Sequence, residues 1–437
     1  MKRRRQVALI LILGLLTAIG LLTVMSRGEA VTELAEFTYS LEERQRICEE
    51  IWKKIGLWYS YFDDKGIDWE SVRERYSDQV AEVKSDYEFF VSMSAMVREL
   101  EDGHSYIYDY PKPVPVNRGR PRIRIVEADG EPIVAEVASG SDAEAKGVAP
   151  GLRIVSVDGE SAKERISFLI PLVTSSTPWH RRSVAVAAML EGDLDEEVQV
   201  ELASPSGTTF TFLLLREPFV GEPMAITAEV LDGDIGLIRL PSFSTSGLGL
   251  DSGDALVKEF DRALEQLKET KALIIDMRGN GGGDDRVAQS CAGRFFTAAV
   301  DFPDCQMRVV TLGKPWFAPR MRRTVKPRGV WQYTNPVVLL IDEFVISSAE
   351  HFAAGMHDSG RATTIGHTTA GSSGNPIRLE VSGFKFQVSR WREYRTDGSL
   401  IEGQGVPADI SVSLTVNDIA GCIDRALICA LDYLKSH

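Results

Sequence analysis

The segment that most constrains the fold is the apolar run 337–341, which leads directly into a serine-containing turn. A strand that is apolar at every position is expected to be covered on both faces of a sheet. Ser347, Ser348 and Glu350 then open a stretch with small and apolar residues at helical spacing, which is typical of a helix start. The sequence therefore predicts a buried strand, a turn that carries Ser347, and a helix.

Ser347 is a candidate nucleophile because of its place in this turn. Its hydroxyl is expected to project from the edge of the sheet, and the unpaired N–H groups of a helix start can bind an oxyanion. Serine is also a favoured N-cap residue, so helix capping is the alternative interpretation.

The C-terminal half has the pattern of an α/β core, in which strands alternate with helices. The expected elements are a strand at 235–243, a helix at 254–271, a strand at 272–276, and a second helix after the glycine-rich loop 277–283.

The glycine-rich loop does not match a nucleotide-binding motif. It lacks Gly-Lys-Ser/Thr, and Asp284 and Arg286 stand where the last glycine of G-x-G-x-x-G would be. A glycine backbone can still approach a ligand closely with its N–H groups. An oxyanion hole suits the loop better than a nucleotide does, and a plain tight turn is the alternative.

The N-terminal half predicts two different kinds of structure. Residues 37–100 have helical periodicity, and the last helix gives way at 101–106 to an extended segment. His104 lies at this junction beside Gly103, where it can be a hydrogen-bonded structural histidine or can point outward.

Residues 121–216 contain short strands with Pro-Gly and Asp-Gly turns, which resemble a PDZ domain or another small β-rich domain. A PDZ domain binds an extended peptide by strand addition.

The first 28 residues predict a membrane anchor. Lys2 to Arg5 precede an uncharged run at 7–25, which is long enough to cross a bilayer and whose basic flank predicts export of the bulk of the chain. A cleaved signal peptide is the alternative.

Charge and cysteine content narrow the function further. A net charge of −14 argues against a nucleic-acid partner. The five cysteines form no CxxC or zinc spacing. In an exported protein the nearest pairs, Cys291 with Cys305 and Cys422 with Cys429, are candidates for disulfides.

Three segments, 276–283, 347–350 and 402–409, together resemble one superfamily, the C-terminal processing (tail-specific) peptidases and the core of tricorn protease. The resemblance implies a multidomain α/β protein with a crotonase-like ββα spiral core. The expected domains are a helical one at 37–105, a PDZ-like one at 115–218 and the catalytic core at 225–437.

The resemblance also implies roles for single residues. Ser347 is the nucleophile, and the N–H groups of Gly282 and Ser348 form the oxyanion hole. Tail-specific peptidases use a lysine base, but the matching stretch 369–374 has none. The tricorn-like branch uses a histidine and a glutamate, which correspond to His104 as base and Glu402 as its orienting group.

This chain departs from the tricorn pattern at Gly103, where that pattern has a serine before its histidine. His351 and His357, on the helix after Ser347, are the rival bases; His351 lies one turn beyond Ser347, although its side chain should lean along the helix. A metal site formed by His351, His357 and Asp358 is disfavoured because positions six apart diverge on a helix. His180 and His367 are expected to be structural or exposed.

The sequence thus predicts a serine endopeptidase that needs no cofactor or metal. It is expected to be membrane-anchored and extracytoplasmic, as a periplasmic or cell-surface protein or a secreted one after signal cleavage. Its partner is a polypeptide substrate, which the PDZ-like domain binds. The alternatives are a non-catalytic peptide- or apolar-ligand-binding protein on the same fold, and an esterase with the same nucleophile.

Overall fold

The computed structural model describes residues 38–111, 118–219 and 224–436. Within these ranges no helix is long and apolar enough to cross a membrane. The predicted anchor at 7–25 lies outside the described residues.

The N-terminal part consists of four helices and a short strand. In chain order they are Leu41–Trp58 (α1), Phe62–Lys65 (α2), Trp69–Glu82 (α3), Asp86–Arg98 (α4) and Tyr106–Asp109 (β1). Asp68 caps α3 by accepting a hydrogen bond from the N–H of Ser71, as expected for a helix that starts at this break in the pattern.

The middle part is rich in short strands. In chain order it contains Arg118–Arg120 (β2), Ile123–Ala128 (β3), Glu131–Val137 (β4), Asp142–Ala145 (α5), Arg153–Val157 (β5), Glu160–Ser161 (β6), Ala162–Leu169 (α6), a 3-10 turn at Ile170–Leu172, Pro178–Ala187 (α7), Gly192–Asp193 (β7), Glu197–Ala203 (β8), Thr209–Leu215 (β9) and Glu217–Pro218 (β10). Strands β3, β4, β5, β8 and β9 form one antiparallel sheet, to which β6 adds by pairing with β5. Its apolar residues share a hydrophobic cluster of their own.

The C-terminal part alternates strands and helices, as the sequence predicts. Its elements are Thr227–Leu231 (β11), Ile235–Arg239 (β12), Gly253–Gln266 (α8), Ala272–Asp276 (β13), Asp285–Ala292 (α9), Val300–Thr311 (β14), Lys314–Phe317 (β15), Met321–Val325 (β16), Val337–Ile341 (β17), Ser348–Asp358 (α10), Thr363–Gly366 (β18), Pro376–Val381 (β19), Phe384–Ser389 (β20), Trp391–Tyr394 (β21), Ile410–Ser411 (β22), Val416–Ala420 (α11) and Arg425–Ser436 (α12). The chain is therefore a mixed α/β protein with a helical N-terminal part.

A six-stranded sheet lies at the centre of this C-terminal part, in the order β11-β12-β13-β17-β18-β22. All strands from β12 onward are parallel, and every residue of β13 and β17 is buried. Because the carboxyl ends of neighbouring parallel strands meet at one edge, the loop after β13 and the turn after β17 lie together. This sheet places the glycine-rich loop beside Ser347.

A three-stranded sheet joins the helical N-terminal part to the C-terminal part. Strand β1 pairs antiparallel with β20, which also pairs with β19. The apolar residues of the β19–β20 hairpin pack into the same cluster as those of the four N-terminal helices. As a result His104, two residues before β1, lies beside the loop that leads into β19.

Some sequence expectations need correction. The strand expected at 235–243 ends at Arg239, and the helix expected at 254–271 ends at Gln266, after which residues up to Thr270 form turns. None of the five cysteines, all of which the structure describes, forms a disulfide: Cys48, Cys291 and Cys305 are buried as free thiols, Cys422 is exposed and Cys429 is half-buried.

Candidate active site

The turn at Ser347 has a strained backbone. Ser347 is the N-cap residue of α10, with φ 62° and ψ −130°. A residue with a side chain pays about 1–3 kcal/mol to adopt such a conformation, and this cost is common where a side chain must be presented to a ligand. The N–H of Ser347 donates to the carbonyl of Ser372 (3.0 Å) and, more weakly, to Oε2 of Glu350 (3.3 Å).

The glycine-rich loop touches this turn so closely that only glycine fits. A Cβ atom on Gly282, which has φ 84°, would lie 2.8 Å from Cβ of Ser347 and 2.9 Å from the nitrogen of Ser348. The N–H of Gly282, however, donates to Oδ1 of Asn280 (2.9 Å). For Gly282 to bind an oxyanion, this hydrogen bond must be given up or shared.

Ser348 offers a less encumbered donor. Its N–H is the first of α10, and it finds no acceptor among the described residues, as expected for the first turn of a helix. The hydroxyl of Ser348 is held by Oδ1 of Asp285 (2.6 Å), which fixes the start of the helix.

His104 is buried, with 2% of its surface exposed. Its Nδ1 forms a hydrogen bond with Oγ of Ser372 (2.9 Å), its N–H donates to Asp102 (2.7 Å), and its carbonyl accepts from the Gln387 amide (3.0 Å). Burial lowers the pKa of His104 below its ordinary value of 6.5, more than the nearby carboxylate of Asp102 raises it. The imidazole is therefore neutral at neutral pH, as a general base must be.

Glu402 does not bond the imidazole. Its Oε1 contacts Nζ of Lys65 (2.6 Å) and its Oε2 accepts from the N–H of Ser373 (2.9 Å), and it is also hydrogen-bonded to Ser176. Burial raises the pKa of Glu402 to about 7, although Lys65 opposes the shift. Any effect of Glu402 on the imidazole must therefore pass through the groups that it holds.

Glu350 was not selected from the sequence, yet it connects α10 to the loop that precedes β19. It is fully buried and accepts hydrogen bonds from the Thr369 hydroxyl (2.5 Å) and from the N–H groups of Gly371 (2.7 Å) and Ser372 (2.8 Å). Burial raises the pKa of Glu350 to about 8, against the effect of these donors.

The rival base, His351, faces away from this arrangement. Its Nδ1 bonds Oε1 of Glu393 (2.8 Å) and its Nε2 contacts the Gln289 amide (2.9 Å), so neither nitrogen is available. Burial on its own would raise the pKa of Glu393, but Arg323 and His351 lower it to about 2.

Among the described residues, His351 and Glu393 are also part of the only group with the spacing of metal ligands, together with Asp285. Arg323 already donates to both carboxylates, so this group is neutralised by a guanidinium.

The three other histidines that the structure describes contact groups other than Ser347. His357 bonds Asp358 (3.0 Å) and Asp409 (3.1 Å). His180 is buried with its Nδ1 on Oγ of Ser175 (2.9 Å), and His367 is half-exposed.

Sequence reasoning missed Lys65, Glu350 and Ser372. The S-x-x-E spacing contains Glu350 but reads equally well as a capping box. The run 371–374 has only small residues and gave no signal beyond its lack of lysine. The contact of Lys65 spans 337 residues along the chain, and nothing in the local sequence marks it.

Comparison with known proteins identifies the family. Residues 234–412 match peptidase family S41, and residues 40–98 match the tricorn protease C1 domain. The chain therefore contains a peptidase family S41 domain. The two matches confirm the resemblance to tail-specific peptidases and to tricorn protease, while the Ser-His-Glu set remains a prediction.

S41 relatives include the carboxy-terminal processing protease CtpA of Bacillus subtilis, which is 23% identical over 334 residues, or 74% of this chain and 63% of the relative. The tail-specific protease of Haemophilus influenzae is 25% identical over 353 residues, or 76% of this chain and 47% of the relative. The chain spans about half to two thirds of the length of these relatives. The structure of mature CPAF complexed with lactacystin shares the fold, with a TM-score of 0.74 at 15% identity over 91% of this chain and 99% of that one.

Proposed function

We propose that this chain is a serine endopeptidase in which Ser347 is the nucleophile and His104 the general base. The observation that carries the proposal is that both residues are held by one partner: Ser372 accepts the N–H of Ser347 (3.0 Å) and bonds Nδ1 of His104 (2.9 Å). The strained turn at Ser347 and the lowered pKa of His104 support the same assignment.

In the proposed reaction, His104 takes the proton of the Ser347 hydroxyl as that oxygen attacks the scissile carbonyl. The resulting oxyanion is bound by the N–H of Ser348 and by the glycine-rich loop, with Gly282 as the expected donor. The protonated imidazole then gives its proton to the leaving amine. In the second half of the reaction His104 takes a proton from water as it attacks the acyl-enzyme, and returns that proton to the oxygen of Ser347 as the acid product leaves. One oxyanion donor is worth about 3 kcal/mol of transition-state stabilisation.

We further propose that the β-rich middle part has a PDZ-like role and binds an extended polypeptide substrate. Its segment around α7 contacts the site's own loops, since Ser176 accepts from the N–H of Gly103 (3.0 Å) and Thr177 donates to the carbonyl of Ala370 (2.8 Å). The location that we propose is extracytoplasmic, based on the basic and uncharged segments at the N-terminus.

Labelling with a fluorophosphonate tests the proposal directly. The full chain should form one adduct, located on Ser347 by peptide mass, and Ser347→Ala and His104→Ala should not form it. His180→Ala is the matched control, because His180 is also buried and also bonds a serine hydroxyl through Nδ1 at 2.9 Å. It should retain the adduct.

Each outcome separates the candidate functions. An adduct on Ser347 together with cleavage of an unstructured protein supports the peptidase, whereas hydrolysis of simple esters without peptide cleavage supports an esterase. If the folded wild type forms no adduct while another serine hydrolase does, the chain is a binding protein. An adduct that persists in His104→Ala contradicts the assignment of the base.

A further inference from the structure

Among the described residues, Ser372 is the only one that forms hydrogen bonds with both the proposed nucleophile, Ser347, and the proposed base, His104. Its carbonyl accepts the N–H of Ser347 (3.0 Å), and its hydroxyl lies 2.9 Å from Nδ1 of His104. The three residues come from three separate segments: the turn after β17, the end of the helical part, and the loop before β19.

The peptide groups on both sides of Ser372 are fixed by buried carboxylates. The N–H of Ser372 donates to Oε2 of Glu350 (2.8 Å), and the next N–H, that of Ser373, donates to Oε2 of Glu402 (2.9 Å). Ser372 is itself fully buried. Its hydroxyl is therefore on a backbone that three hydrogen bonds hold in place, with the one from the N–H of Ser347 included. Glu402, which does not reach the imidazole, acts on it through this backbone.

The hydroxyl of Ser372 can serve Nδ1 of His104 either as an acceptor or as a donor. A histidine that removes a proton through Nε2 must carry its own hydrogen on Nδ1, so a productive site uses this hydroxyl as the acceptor. Ser372 can accept that hydrogen because a hydroxyl has two acceptor lone pairs. The same bond also stabilises the imidazolium that forms in the transition state.

Gly103, which precedes the proposed base, leaves room for the hydroxyl of Ser372. A Cβ atom on Gly103 would lie 2.6 Å from Oγ of Ser372 and 3.3 Å from its Cβ. A side chain at 103 and the hydroxyl at 372 therefore compete for the same space, so a side chain at 103 would push this hydroxyl away from Nδ1 of His104.

We propose that Ser372 is the positioning residue of this site: its hydroxyl holds His104 in the tautomer with Nδ1–H, and its carbonyl holds the Ser347 turn. This inference rests on the proposed function, deepens it, and assigns to Glu350 and Glu402 the task of fixing Ser372.

Ser372→Ala tests the positioning role. We expect kcat to fall by about 10- to 100-fold with little change in KM, because a misplaced base affects the transition state and not binding. Since the hydroxyl stabilises the imidazolium, its loss should also move the acidic limb of kcat/KM to lower pH. The matched control is Ser175→Ala, which removes an equally buried hydroxyl from Nδ1 of His180 (2.9 Å) and should leave the acidic limb unmoved.

A reciprocal exchange tests the competition for space. Gly103→Ser alone should abolish most activity because its side chain meets Oγ of Ser372. The double variant Gly103→Ser/Ser372→Gly removes the clash and supplies a hydroxyl from the other side, so it should be at least about tenfold more active than Gly103→Ser. Simple disruption of packing predicts that the double variant is no better than the single one.

The tautomer can be measured without turnover. In protein with 15N-labelled histidine, the His104 signals are identified by their loss in His104→Ala, and wild type should show a protonated Nδ1 and an unprotonated Nε2. In Ser372→Ala the two nitrogens should move toward a mixture. Wild type with Nε2 protonated, or a Ser372→Ala variant with unchanged tautomer, kcat and pH profile, would overturn the proposal. In that case labelling of Ser347 would still support the peptidase, whereas absence of labelling in wild type would reject the peptidase itself.

Discussion

The buried pair of Lys65 and Glu402 should make the free energy of unfolding depend on pH. The two charged groups are 2.6 Å apart, with 16% and 1% of their side chains exposed. Burial raises the pKa of Glu402 from its ordinary 4.5 to about 7, and Lys65 is the strongest group that opposes this shift. Replacing Lys65 with methionine keeps the length of the side chain and removes the charge.

The size of this pH dependence follows from the difference between the pKa of Glu402 in the folded and in the unfolded chain. A carboxyl whose folded pKa is about 7 and whose unfolded pKa is 4.5 stabilises the fold fully at low pH. About 3 kcal/mol of this contribution is lost as the pH rises through that window, because only the unfolded chain releases the proton. Without Lys65 the folded pKa rises further, and each additional pKa unit extends the loss by about 1.4 kcal/mol. Lys65→Met should therefore cost little near pH 5 and up to about 3 kcal/mol near pH 9, which is the cost when the folded pKa rises from about 7 to about 9 or beyond.

Urea unfolding followed by tryptophan fluorescence, at about pH 5 and about pH 9, measures this difference. The control is Lys385→Met, since Lys385 is also 2.6 Å from a carboxylate, that of Asp109, but both side chains are about half exposed. It should show no such pH dependence. Glu402→Gln should remove the pH dependence from the Lys65→Met background. An equal cost of Lys65→Met at both pH values would refute the reasoning.

Three further predictions concern the site itself. Because burial lowers the pKa of His104 below its ordinary value of 6.5, the acidic limb of kcat/KM in a pH–rate profile should be centred below pH 6.5; a limb centred above 6.5 contradicts the assignment. Ser347→Gly should abolish turnover. Its free energy of unfolding in urea should nevertheless be about 1 kcal/mol higher than that of Ser347→Ala, because glycine relieves the strain at φ 62°. Gly282→Ala should lose fluorophosphonate labelling because its Cβ would press on Ser347. Gly279→Ala, with a similar φ of 73° and nothing within 4 Å, should keep the label, and loss of labelling in both would point to loop strain instead.

Much of the fold could be predicted because the signals are local. The apolar run 337–341 is strand β17, and the small residues after Ser347 form α10, because periodicity and helix-start chemistry depend only on neighbours in sequence. The parallel order of β13 and β17 then requires the glycine-rich loop and the Ser347 turn to meet at one sheet edge. Ser347, Ser348 and Gly282 are brought together for this reason.

The sequence by itself thus determined which residues could carry the chemistry, but only the tertiary structure decided how they are held. Ser372 lies 268 residues from His104, and their contact exists because β1 pairs with β20 and draws the end of the helical part onto the β19–β20 hairpin. The same long-range packing sends Glu402 to Lys65 and Ser373 instead of the imidazole. Such contacts leave no periodic trace along the chain, since a hydrogen bond between distant segments depends on their meeting in space and not on either local sequence.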